Sequence, residues 1–183
     1  LIYSFLLSYA HKRFSKNFTI ISHKRYKTDI FGLYYKATTK EGGAPMVRKK
    51  PCVLACVTSQ FECDRIIKTA EHIANEEECE LRVLSVLQPT SDYSEIGGEI
   101  EYLYKVARES GADMTVLFHD NAPYACADFV NKNNVQRIVT GMHDGGNESF
   151  LVMFNRFAPM VSITMVAKDN TAYSMDVCKT AVR

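Results

Sequence analysis

Cys52-Val53-Leu54-Ala55-Cys56-Val57 runs into Thr58-Ser59-Gln60-Phe61-Glu62, and this stretch decides the fold. Six apolar residues without polar alternation have the length of a strand buried on both faces, the pattern of a parallel strand covered by helices above and below. The run stops at Thr58-Ser59-Gln60. Ser59 and Glu62 then stand in Ser-x-x-Glu spacing, a capping box that opens a helix by satisfying its first free amides. Ile66, Ile67, Ala70, Ile73 and Ala74 follow at helical intervals, and Glu76-Glu77-Glu78 closes the unit as a solvated turn. A buried strand feeding an amphipathic helix is the first half of a βαβ unit.

The pattern repeats downstream. Leu81 to Leu87 reads as a second strand, and a helix is predicted from Gly97 to Ser110, ended by Gly111 as C-cap. Asp113 to Phe118 is the third strand. Pro123, in a first turn, starts a helix that Asn133-Asn134 breaks. In the His119-Asp120-Asn121 cluster no nucleophile and base pair up, so helix capping is the reading for it. Val135 to Thr140 is the fourth strand, and Gly141 opens a glycine-rich loop. Glu148 to Ala158 forms the last helix, stopped by Pro159, and Met160 to Ala167 is the fifth strand. Phe150, Met153, Phe154 and Phe157 on that helix read as core or dimer surface. Five strands alternating with four helices predict an α/β, doubly wound, five-stranded parallel sheet with helices on both faces.

Composition narrows the class. The chain has 183 residues, 46% hydrophobic and 23% charged, enough for one domain with its own core. A net charge of +1 argues against a nucleic-acid partner. No apolar run reaches the length of a bilayer span, and Leu1 to Leu7 is too short for a signal peptide. Cys52, Cys56, Cys63, Cys79, Cys126 and Cys178 form no C-x-x-C pair, so they read as small buried hydrophobes of a cytoplasmic protein, not as disulfides or zinc ligands.

Charge divides the chain at Met46. Residues 1–45 carry eight Lys or Arg against Asp29 and Glu41, and nine of the twenty Phe and Tyr, without helical or strand periodicity. The remaining 138 residues hold 14 basic and 19 acidic side chains. Three readings of 1–45 stay open. It is an upstream extension that is not native to the fold, because Lys40-Glu41-Gly42 can be encoded by a purine run suited to ribosome binding just before Met46. It is a basic arm for nucleic acid or an anionic membrane. Or it is the cytoplasmic exit of a membrane segment upstream; a membrane enters only if the segment is a genuine part of the protein. The domain proper is 46–167, and 168–183 is a weakly patterned surface tail.

From Pro51 to Ala167 the chain resembles the universal stress protein family. The resemblance is carried by Val53-Leu54-Ala55-Cys56-Val57-Thr58, by Leu103-Tyr104-Lys105-Val106-Ala107-Arg108-Glu109-Ser110-Gly111-Ala112-Asp113, and by Phe129 through Gly141. It is nearest to the branch found as a domain inside potassium-sensing histidine kinases. Nucleotide-binding members carry an Asp after the first strand and G-x-x-G, nine residues, then G-S or G-T. Here Thr58-Ser59-Gln60 replaces the Asp region. Gly141 matches the first glycine, Asp144 stands at the second, Gly145 and Gly146 come late, and Phe154-Asn155 falls at the final pair.

The resemblance implies a cytoplasmic, non-enzymatic regulatory module that binds a ligand, an adenine or cyclic dinucleotide, in a degenerate pocket. ATP or another adenine nucleotide would bind weakly, with no cofactor certain. The pocket residues would be Thr58, Ser59, Gln60, Gly141, His143, Gly145, Gly146, Asn147 and Ser149, with no catalytic or metal-ligating residue. Helix N-termini and glycine amides there favour an anion, and Asp144 opposes one. For each of these residues a plain turn or cap competes with a ligand role. Family resemblance also places the fifth strand at a sheet edge, where a second copy would pair with it. The alternatives are a nucleotide-hydrolysing or nucleotidyl-transferring enzyme on this scaffold, and a structural dimer without ligand.

Overall fold

The computed structural model describes residues 18–22, 50–58, 60–89, 93–142 and 149–177, without the side chains of 18, 20, 22 and 93–96. Strand β1 is Phe18–Ser22 and β2 is Cys52–Val57. A 3-10 turn, Phe61–Cys63, leads into helix α1, Asp64–Glu76. Then come β3 (Glu80–Leu87), α2 (Tyr93–Glu109), β4 (Asp113–Phe118), α3 (Ala122–Lys132), β5 (Val135–Gly141), α4 (Phe150–Phe157), β6 (Ser162–Val166) and β7 (Ala172–Met175).

All six residues of β2 are buried, because the strand lies at the centre of the sheet with a helical layer on each side. Val53, Ala55 and Val57 point into one core with Ile66, Ile67 and Ala70 of α1 and Leu103 and Ala107 of α2. Cys52, Leu54 and Cys56 point into the other, with Ala125, Phe129 and Val130 of α3 and Phe154 of α4. Phe154 and Leu54 are fully enclosed, and each such side chain stabilises the fold by about 1.5–3 kcal/mol. The chain steps β2–β3–β4 to one side with α1 and α2 on one face, then crosses over to β5 and β6 with α3 and α4 on the other. Right-handed crossovers produce that split.

The sheet differs from the predicted one at both margins. Among the described residues its order is β1-β4-β3-β2-β5-β6-β7, seven strands rather than five, and β7 runs antiparallel to β6. Phe18–Ser22, within the segment assigned no element, pairs in parallel with Met114–Phe118. Residues 172–175, taken as surface tail, do lie exposed, but as an edge strand. Its turn is stabilised by the Asp169 carboxylate accepting from the Thr171 amide and by Asn170 at φ 68°. The fifth predicted strand, β6, is therefore not an edge: Ile163–Val166 pairs with Ala172–Met175. Among the described residues the sheet ends at β7 on this side and at β1 on the other.

Helix starts also shift. The proposed capping box gives way to the 3-10 turn with Gln60 at its N-cap and no side-chain cap bond, and Ser59 lies outside the described residues. The second helix begins at Tyr93, earlier than Gly97, and the last one spans 150–157 rather than 148–158. Gly111 does end α2, at φ 70°, a left-handed conformation that glycine adopts without a Cβ clash. Asn121 caps α3, its Oδ1 accepting from the Tyr124 amide at 2.9 Å, and His119 Nδ1 accepts from the Asn121 amide at 2.8 Å. The His119–Asn121 cluster is a capping device, as its sequence suggests.

Candidate functional site

Strand order reverses at β2: its neighbours are β3 on one side and β5 on the other. In doubly wound sheets this reversal opens a crevice beyond the carboxyl ends of the two strands. Cys56 is in register with Thr140, so the loop that starts at Thr58 and the end of β5 at Gly141 emerge side by side.

Thr58 and Gln60 are exposed in a tight turn. The Gln60 amide donates to the Thr58 carbonyl at 2.8 Å, and the Thr58 hydroxyl donates to Gln60 Oε1 at 3.3 Å. The same hydroxyl lies 3.3 Å from Cys63 Sγ. Gly141 is the last residue of β5, not the first of a loop, and is half-buried. A Cβ built on it would meet Ile66 Cδ1 at 3.4 Å and Arg65 Nη2 at 4.0 Å, ordinary contacts. Ser149 caps α4, its hydroxyl accepting from the Val152 amide at 3.4 Å. His143, Asp144, Gly145, Gly146 and Asn147, like Ser59, lie outside the described residues.

Arg65, which the sequence reading did not single out, stands at this same edge. Its Nη1 donates to the carbonyls of Val166 at 2.7 Å and Ala167 at 2.6 Å, where β6 ends beside Gly141. A signal was available: a cation in the first turn of a helix opposes the macrodipole, so something other than helix stability holds it there. Next to it, burial alone would raise the Asp64 carboxyl. Hydrogen bonds from Lys68 at 3.0 Å and Tyr102 at 3.2 Å, with the Lys68 charge, outweigh burial and hold it below the ordinary carboxylate range.

The described cysteines are free thiols. Cys56 and Cys126 lie 3.2 Å apart in the core. That hydrogen bond, then burial, pushes the Cys56 thiol well up, and burial pushes Cys52 to about 11. Both stay protonated at neutral pH and make poor nucleophiles. Among the described residues no group of three His, Cys, Asp or Glu side chains could hold a metal ion, and no helix is long and apolar enough to cross a membrane. A separate groove of about 290 Å³ lies between α1 and α2, lined by Lys68, Glu71, Tyr102, Lys105, Glu109 and Ser110 among others. Its charges pair with one another or with neighbours: Ser110 donates to Glu71 at 2.8 Å, and Lys68 and Lys105 meet Asp64 and Glu109.

No protein-family model matches the chain, and no curated protein matches it in sequence. Solved structures do. A universal stress protein in complex with cAMP superposes with a TM-score of 0.52 at 12% identity, over 66% of this chain and 99% of that one. A universal stress protein from Archaeoglobus fulgidus in complex with dAMP gives 0.48 at 17% identity, over 64% and 96%. The first likeness establishes a shared α/β fold; the second adds nothing to it.

Proposed function

We propose that this chain is a universal-stress-type regulatory module, of the branch resembling the domain in potassium-sensing histidine kinases, that binds an adenine nucleotide without reacting it. One observation supports the reading above the others. The reversal at β2 brings the Thr58–Gln60 turn and Gly141 to one edge of the sheet, in a fold shared with a protein solved with cAMP. The base and ribose would meet Thr58, Ser59 and Gln60. The phosphates would lie toward Gly141 and Ser149, with His143, Gly145, Gly146 and Asn147 between them. Asp144 in the glycine loop repels phosphate and makes the pocket a degenerate one.

Titration calorimetry on the full chain tests this. ATP binds in the high-micromolar range, and Asp144→Gly tightens it. Sub-micromolar ATP binding by the unmodified chain would refute the degenerate pocket; no binding of ATP, cAMP or adenosine would refute the nucleotide reading. Release of nucleotide from the native protein, seen by mass spectrometry, is the faster check.

The same reading puts the module in the cytoplasm as a homodimer. With β6 covered, the pairing edge moves to β7, where Tyr173 and Met175 are half exposed. An unpaired edge of this kind recruits a second strand. A monomer by sedimentation at high-micromolar concentration would exclude it.

A further inference from the structure

We propose that Arg65 is the phosphate-charge receptor of this edge, a cationic anchor lying outside the glycine loop. The proposal rests on the nucleotide reading above and assigns the part of the ligand that this chain's own loop serves poorly. Three observations carry it.

The first is position. Arg65 Nη2 lies 4.0 Å from where a Cβ on Gly141 would stand, and Nη1 is bonded to the ends of β6. The guanidinium therefore sits over the carboxyl edge of β5 and β6. The second is its unspent capacity. A guanidinium has five N–H donors. Here the bonds run from Nη1 to two carbonyls, and among the described residues nothing accepts from Nε or Nη2 and no carboxylate lies within ion-pair distance. A charge held only by neutral acceptors keeps its attraction for an anion. Asp169, on the β6–β7 turn, feels that charge only as a minor influence. Its carboxyl is held low first by the Thr171 amide and hydroxyl, and Arg65 contributes least.

The third is rigidity. Both acceptors are backbone atoms of an ordered strand end, and the Val166 carbonyl also accepts from the Met142 amide at 3.0 Å. The planar group is thus fixed before any ligand arrives, and its remaining N–H pair has the geometry for two phosphate oxygens. Among the described residues, neighbouring Thr58, Gln60 and Ser149 add neutral hydroxyls and an amide.

The test compares ATP with adenosine by calorimetry on the full-length wild type, Arg65→Gln and Arg65→Lys. Loss of one charge-assisted contact weakens ATP about tenfold to hundredfold. Adenosine stays within about twofold, and Arg65→Lys recovers part of the ATP affinity. An equal loss for both ligands would leave Arg65 a strap between α1 and β6 and nothing more, and overturn the proposal, as would no loss for either. If the wild type binds neither ATP nor adenosine, the nucleotide reading fails by itself. Inorganic pyrophosphate then decides for Arg65: binding that Arg65→Gln abolishes keeps the anion site, and no binding ends it. If Arg65→Gln does not fold, the wild type is modified with phenylglyoxal and mapped by peptide mass spectrometry. Protection of Arg65 by ATP and not by adenosine supports the proposal; equal labelling with and without ATP refutes it.

Discussion

Gly141 is a residue whose meaning depends on what lies beyond it. Among the described residues nothing demands a glycine there: a Cβ would touch Ile66 Cδ1 at 3.4 Å and displace nothing. Gly141→Ala should therefore melt within about 0.5 kcal/mol of the parent. Any loss of nucleotide affinity in that variant reports a ligand approaching the backbone, so thermal melts paired with calorimetry separate the two. Asp64 is legible in another way. Its carboxyl titrates lower in the folded chain than in the unfolded one. Its contribution to stability is thus complete above the unfolded carboxylate pKa, about 4, and is lost as pH falls through the folded value. Urea unfolding free energies of the parent and Asp64→Asn should converge on acidification below about pH 4, with a gap at pH 7 under about 1 kcal/mol because the site is partly solvated. The Thr58–Gln60 turn and Gly141 could be found from sequence because they follow buried apolar runs. Arg65 could not be found by partner type, since backbone carbonyls leave no mark in the sequence.

Elements show why the centre of the sheet was readable and its margins were not. β2 through β6 are flanked on both sides, so burial forces apolar runs that announce them. β7 has all four residues exposed, and no apolar alternation marks it. What holds it is polar and comes from distant strands. Arg137 on β5 donates from Nε to Glu77 at 2.9 Å, from Nη1 to Thr164 at 3.2 Å, and meets Asp176 at 2.8 Å. Thr164 in turn shares a 3.0 Å hydrogen bond with Ser174. The Arg137 side chain is 15% exposed, whereas Asp176 is 63% exposed. Arg137→Ala should cost about 2 kcal/mol in urea unfolding, less than a fully buried pair would. Amide exchange in 172–175 should rise more than in β2. Equal protection of β7 in both proteins would show that the network does not hold the strand. β1 escaped for the matching reason: Phe18–Ser22 is five residues inside a basic, aromatic stretch, and only pairing with β4 gives it a place.

At the scale of the whole molecule, the order of the chain and the order of the sheet disagree, and the Arg65 strap bridges the disagreement. β2, α1, β3, α2 and β4 are consecutive and adjacent, whereas Arg65 reaches Val166 across 101 positions. Local contacts form early because closing a short loop loses little entropy, and a clasp of this span closes only after β5 and β6 have crossed back. Its two hydrogen bonds are then absent at the folding barrier and present afterwards. In a stopped-flow chevron, Arg65→Gln should steepen neither limb, leave the refolding rate nearly unchanged, and shift almost all of its effect into faster unfolding. Slower refolding in the variant would place the clasp in the nucleus. The guanidinium thus acts as a latch on lifetime: it governs how long the finished sheet persists, not how quickly it is made.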